Sequence, residues 1–288
     1  MRQEVKMNQE GKSGKDLSLD KIITTALQIP GVPVDRKKFL TEVFAGENVV
    51  LQDILDYGPV QANVPKKMLT QLAGKQILKR TSQSSAASFV AGIPGGLAMA
   101  AMVPADILQF FGMALRLAQE LSYLYGAKDL QKNGFIDEEG KSRLLLYCGV
   151  MFEVPDAAAG VRVIASQATK GVVKALPQKA LAKTFWYPMI WQIGKVMGAK
   201  VTKSTVAKGI TKIIPVVGGV IAGGMNFASM LPMANRLQGV LDKACFSYTD
   251  EEFRRDLDTI EHMNFTVEIE HTEEQVIKEK LAGMFKRK

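Results

Sequence analysis

Asp106, Met113 and Glu120 stand seven residues apart in a stretch with helical periodicity, and Arg116 precedes Glu120 by four. On one helix that spacing lets a negative, a positive and a second negative group share a neighbourhood. Set among apolar helices, such a triplet is a buried polar cluster, the kind of place where a ligand or a proton is held. The same residues read equally as an N-terminal Asp favoured by the helix dipole and an Arg/Glu pair on a solvated face. An acid/base pair needs two carboxylates at the right separation across a substrate, and helical spacing does not supply that. Asp106, Arg116 and Glu120 are therefore a candidate polar cluster, with no residue assigned as catalytic.

The remaining chemistry-bearing residues form no recognisable set. Gly92-Ile93-Pro94-Gly95-Gly96 lacks the Gly-Lys-Ser/Thr ending of a phosphate loop and the spacing of a dinucleotide fingerprint. His262 and His271 lie among several Glu residues and read as a solvated acidic surface. Cys148 and Cys245 are far apart, with no CxxC or nearby His, so neither a disulfide framework nor a zinc site is suggested. No metal, cofactor or enzymatic activity is expected from these patterns.

Charge is more informative. From Ala157 to Leu241 there is no Asp or Glu, while the tract holds nine Lys, two Arg and both Trp. It carries +11 in a chain whose net charge is +8, so the rest sums to −3. Lys170/Lys174, Lys179/Lys183 and Lys208/Lys212 are each four apart, which places each pair on one side of a helix. Ile164, Ala168, Val172 and Leu176 form an apolar stripe on another side. Phe185-Trp186-Tyr187-Pro188 and Trp191 follow directly, as for side chains at headgroup level. Near an anionic leaflet each Lys contributes about 1 kcal/mol. The bland alternative is a solvated Lys-rich face with the aromatics in the core. Nucleic acid is disfavoured: Lys dominates over Arg, the charges alternate with long apolar stretches, and no helix-turn-helix, RRM or zinc-finger pattern appears.

The elements that must carry these residues are helical. After a polar leader, Ile22, Ile23, Ala26 and Leu27 make a short stripe ended by Pro30-Gly31. Asp35 opens a second helix with Phe39, Leu40, Val43 and Phe44 as its apolar face, and segments 52–57 and 66–79 add short amphipathic pieces. A long helix runs from Ala105 to about Tyr125, with Gly126 as its C-cap. Two runs, 81–105 and 213–235, contain no charge apart from their borders and are long enough to span a bilayer. They are diluted by Gly, Ala and Pro, and Gly92/Gly96 and Gly219/Gly223 allow close helix approach in either lipid or core. The order of their elements also suggests a weak internal repeat. Tyr248 to His262 reads as an acidic helix opening at Thr249 or Asp250, with Phe253, Leu257 and Ile260 inward. Residues 265–269 alternate like a strand, and Thr272 to Gln275 form a capping box for a last helix. The leader, at 1–17, has no apolar core of a secretory signal, so the chain is expected inside the cell.

Several separate elements occur in the order seen in a known family. Ala91 to Gly96, Pro104-Ala105-Asp106 through Tyr123-Leu124-Tyr125-Gly126, Gly149-Val150-Met151, and the run from Lys174 through Ala207-Lys208-Gly209 to Ile214-Pro215-Val216-Val217-Gly218-Gly219-Val220 resemble the EcsC family. The resemblance covers roughly residues 20 to 245. That family is named for a gene beside an ABC transporter in Gram-positive bacteria. It implies a bacterial protein linked to transport or the envelope, and it brings no established reaction and no catalytic residues.

The expected architecture is all-α: a leader at 1–17, one helical domain at 18–247 with two Gly-rich apolar hairpins at its centre, and a C-terminal extension at 248–288 packed on it. The expected role is a non-enzymatic protein at the cytoplasmic face of the membrane, peripheral or partly inserted, with an anionic surface and a membrane protein such as an ABC transporter as partners. The competing reading is a soluble helical protein that binds or hydrolyses a lipid-like ligand in an apolar pocket, with Asp106, Arg116 and Glu120 at its polar end. Oligomeric state is open.

Overall fold

The computed structural model describes residues 19–82, 105–132, 135–154, 156–170 and 224–260. Within them the chain is all-α apart from one small hairpin. The helices are α1 (Leu19–Leu27), α2 (Arg36–Val43), α3 (Leu51–Tyr57), α4 (Lys66–Thr81), α5 (Ala105–Leu124), α6 (Glu138–Met151), α7 (Ala157–Lys170), α8 (Gly224–Phe246) and α9 (250–260). Strands β1 (Gln131–Lys132) and β2 (Phe135–Ile136) pair antiparallel between α5 and α6, with Gln131 opposite Ile136. The expected strand at 265–269, the last helix after it, the leader, nearly all of 81–105 and residues 213–223 lie outside the described residues.

Helix α5 is the axis. It packs against α1, α2, α4, α6 and α8. Between Leu108 and Leu124 every residue is buried except Gln109 and Arg116, which are half-buried and seven apart. A helix apolar nearly all round belongs in a core, and this one leaves a single narrow line toward water. Phe110, Phe111, Leu115, Leu117 and Leu121 all lie within it at 0–1% exposure. The second organiser is α8, which touches α4, α5, α6 and α7. Met230, Met233 and Ala234 are buried there, so the end of the second apolar run turns these side chains into the core.

Helix ends follow their local chemistry. Asp35 caps α2 by accepting a bond from Lys38 N at 2.8 Å, and Asp137 caps α6 from Gly140 N at 2.8 Å. Thr249 and Glu252 form a reciprocal capping box at the start of α9: Glu252 N donates to Thr249 Oγ1 at 3.2 Å and Thr249 N donates to Glu252 Oε2 at 3.1 Å. Gly126 ends α5 at φ +85°, with Ala127 N bonded to Ser122 O at 2.9 Å and Gly126 N to Tyr123 O at 3.1 Å. That pair of bonds is the Schellman motif, which requires a left-handed residue at this point. Gly140 is constrained differently: a Cβ there would lie 2.3 Å from Leu130 O, so the first turn of α6 rests directly on the backbone leading into the hairpin.

Buried polar side chains of α5 hold the loops. Gln119 accepts from Val34 N at 3.0 Å and donates to Val32 O at 2.9 Å, which satisfies the α1–α2 connection inside the core. Tyr123 Oη accepts from Leu130 N at 3.2 Å. Arg36 reaches from α2 to Ala127 O at 3.0 Å and Leu55 O at 2.9 Å, closing the far ends of α3 and α5 onto α2.

Candidate functional site

Helix α4 turns one stripe inward: Leu69, Leu72, Ala73, Gln76, Ile77 and Thr81 are buried, at the three-and-four spacing of a helix face. Gln76 interrupts that apolar stripe, and Arg80 continues its line one turn later. Facing them on α5 are Arg116 and Glu120, also four apart. The two i,i+4 pairs meet on Glu120, whose side chain is fully buried.

Its carboxylate is saturated by donors. Gln76 Nε2 donates to Oε2 at 2.6 Å, Arg80 Nε lies 2.9 and 2.8 Å from the two oxygens, Arg80 Nη2 is 2.6 Å from Oε1, and Arg116 Nε donates to Oε1 at 3.0 Å. Arg116 also donates through Nη1 to Gly31 O, in the α1–α2 turn. A buried carboxylate is tolerable only when paired and hydrogen-bonded in this way. The arginines are less buried than their partner, at 19% and 23% side-chain exposure. The cluster thus holds two guanidiniums against one carboxylate, a local excess of one positive charge, on the watered line of α5.

Of the expected polar cluster, the structure joins Arg116 and Glu120 in an ion pair, with Glu120 fully buried and Arg116 half-buried. Asp106 lies in the first turn of α5, and its side chain is outside the described residues. The sequence reading missed Gln76 and Arg80. A glutamine inside the apolar stripe of α4 was the available signal.

The other expected residues fall as follows. Lys170 is the last residue of α7, with its side chain outside the described residues. Lys174, Lys179, Lys183, Trp186, Trp191, Lys208, Lys212, Gly92, Gly96, Gly219 and Gly223 lie wholly outside them. The two arginines of the acid-free tract are described, and both pair with acids from outside the tract. Arg162 on α7 makes a two-pronged pair with Asp256 on α9, at 2.7 and 2.8 Å, and Tyr248 Oη donates to the same carboxylate at 2.6 Å. Burial works against the Asp256 charge, but these bonds outweigh it and hold its carboxyl below the ordinary range. Arg236 on α8 donates to Met151 O at 2.8 Å and pairs with Glu153.

A third network joins α5 to α8. Tyr125 Oη donates to Asp242 Oδ1 at 2.7 Å, with Lys66 Nζ 3.7 Å from the other oxygen. Burial pushes the Cys148 and Cys245 thiols up to about 12, which keeps both protonated and unreactive at neutral pH. A cavity of about 20 Å³ is bordered by Ser122, Tyr125, Arg143, Tyr147 and Leu241. That volume suits one water, whereas organic ligands need several hundred Å³. Neither Arg116 nor Glu120 borders it. Among the described residues no group of three or more His, Cys, Asp or Glu is placed to hold a metal, and no helix is long and apolar enough to cross a membrane.

No family model, curated protein or solved structure matches this chain. The likeness to the EcsC family therefore rests on the quoted residues alone, and function must be argued from charge and geometry.

Proposed function

We propose that this chain is a non-enzymatic, EcsC-like helical protein that associates peripherally with an anionic membrane surface at the cytoplasmic face, accessory to a transport or envelope process in which a membrane protein such as an ABC transporter is its partner. The observation that carries this is the segregation of charge. Arg162 and Arg236, the only arginines between Ala157 and Leu241, are each paired with an acid from outside the tract, Asp256 in a part-buried pair and Glu153 in an exposed one. The positive charge left over in the tract is therefore all lysine. Between 171 and 223 there are eight Lys, both Trp and no acid.

That segment leaves from the end of α7 and returns at the start of α8, and these two helices pack on each other. A firm helical body thus holds both ends of the basic stretch, which favours presentation of many weak contacts from one place. With each Lys worth about 1 kcal/mol near an anionic leaflet, a few acting together support reversible binding. Such binding is screened by salt.

Flotation with vesicles tests the proposal. Purified full chain is expected to float with phosphatidylglycerol-containing vesicles at low salt, to stay behind with pure phosphatidylcholine, and to be released by high salt. Replacing Lys174, Lys179, Lys183, Lys208 and Lys212 by Gln is expected to abolish flotation. A chain that ignores anionic vesicles at low salt would sink the proposal.

A further inference from the structure

The Arg80–Glu120–Arg116 cluster is built more elaborately than a helix–helix clamp requires. One arginine would neutralise Glu120, and two are present. Each guanidinium has more N–H donors than its contacts use. Arg80 spends Nε and Nη2 on Glu120, while Arg116 spends Nε on Glu120 and Nη1 on Gly31 O. Among the described residues the remaining N–H groups of both meet no further acceptor. Both side chains stay partly open to water, at 19% and 23%.

The consequence is geometric. A fully buried carboxylate, itself fixed by Gln76, holds both guanidiniums at its Oε1, through Arg80 Nη2 at 2.6 Å and Arg116 Nε at 3.0 Å, and each keeps unspent N–H groups on its other edges. Orientation is already established, so a ligand meeting those edges need not order them. The charge excess favours an anion as the ligand. A phosphate group, with more terminal oxygens and up to two negative charges, offers two guanidiniums more acceptor positions than the two oxygens of a carboxylate.

We infer that Arg80 and Arg116, braced by Glu120 and Gln76, form a binding site for a phosphate group, supplied by a phospholipid headgroup or by a soluble phosphate. This goes beyond the surface association proposed above and uses residues outside the lysine tract, so the two can fail separately. Glu120 is a positioning residue in it, since it touches the arginines and not the ligand.

The test is calorimetric titration of the full chain with inorganic phosphate, with ionic strength held constant by chloride. Saturable binding is expected, weakened by about tenfold or more in Arg116→Lys and Arg80→Lys, which keep the charge but lose the planar fork. Thermal melts in chloride report whether each variant is folded. In parallel, phosphate is expected to protect Arg80 and Arg116 of the unmodified chain from phenylglyoxal, a readout that needs no variant. Preferential flotation with phosphatidic acid over phosphatidylglycerol vesicles, lost in Arg116→Lys, would identify a lipid source. Phosphate binding without that preference would identify a soluble one. The inference is overturned if the unmodified chain shows no saturable phosphate binding, if phosphate does not protect the two arginines, or if a folded Arg116→Lys binds phosphate unchanged. A mere clamp would give that last pattern, with a lower melting point and no change in affinity.

Discussion

Glu120→Ala is the sharpest test of the cluster as a structural unit. Among the described residues the substitution removes the only acid paired with Arg80 and Arg116, leaving two like charges near one another and the amide of Gln76, itself 5% exposed, without its 2.6 Å acceptor. Removing one partner of a buried ion pair typically costs about 3–5 kcal/mol, and a stranded buried donor about 1–3 kcal/mol. The guanidiniums retain 19% and 23% exposure and can turn toward water, so the lower end applies, about 3 kcal/mol. At about 2–4 °C per kcal/mol, the melting point should fall by ~6–12 °C. Urea unfolding followed by far-UV circular dichroism measures the same quantity through the midpoint. Because the cost arises from orphaned cations and not from lost packing, Arg116→Met placed on top of Glu120→Ala should recover part of it. Strict additivity of the two substitutions, or a Glu120→Ala loss below about 0.5 kcal/mol as at an ordinary surface site, would refute the reasoning.

Three further outcomes follow from the geometry. Asp256→Ala should cost about 2 kcal/mol, because the two-pronged Arg162 pair and the Tyr248 bond go together, and hydrogen exchange should accelerate across 250–260 before it does in α5; uniform protection would contradict it. Gly126→Ala should destabilise by about 1–2 kcal/mol, since φ +85° is costly for any residue with a Cβ, and a neutral result in thermal melts would show that the α5 end relaxes freely. Stability should be lost at alkaline pH. Cys148 and Cys245 move from an ordinary 9.0 to about 12, and Tyr123, Tyr125, Tyr147 and Tyr248 move upward as well. The folded state holds these protons more tightly than the unfolded chain, so their contribution is intact below pH 9 and disappears as pH rises from 9 through 12. Urea midpoints that stay flat or increase over that window would be the contrary finding.

Legibility in the sequence tracks distance along the chain. Asp35, Gly126 and Thr249 were readable as helix boundaries because a cap engages backbone groups only a few residues away. The inward stripes of α1 and α2 were readable because burial follows helical periodicity. Helix α6 and the strand pair before it escaped notice, although the dipeptide Asn133-Gly134 is a hairpin signal and Asp137 followed by Glu138-Glu139 marks a helix start. The pairing of Arg116 with Glu120 was legible as i,i+4. Its burial was not, since the same spacing serves a solvated face equally well.

Composition and spacing by themselves determined that the chain is helical, where several of its helices begin and end, and that its acidic and basic residues are segregated, because propensity, capping and charge count are local or additive properties. Only the tertiary structure decided which charges remain uncompensated. Arg80 meets Glu120 across 40 positions, Arg236 meets Glu153 across 83 and Arg162 meets Asp256 across 94. Desolvation depends on which helices pack together, and it converted one ordinary-looking glutamate into a buried anchor for two arginines.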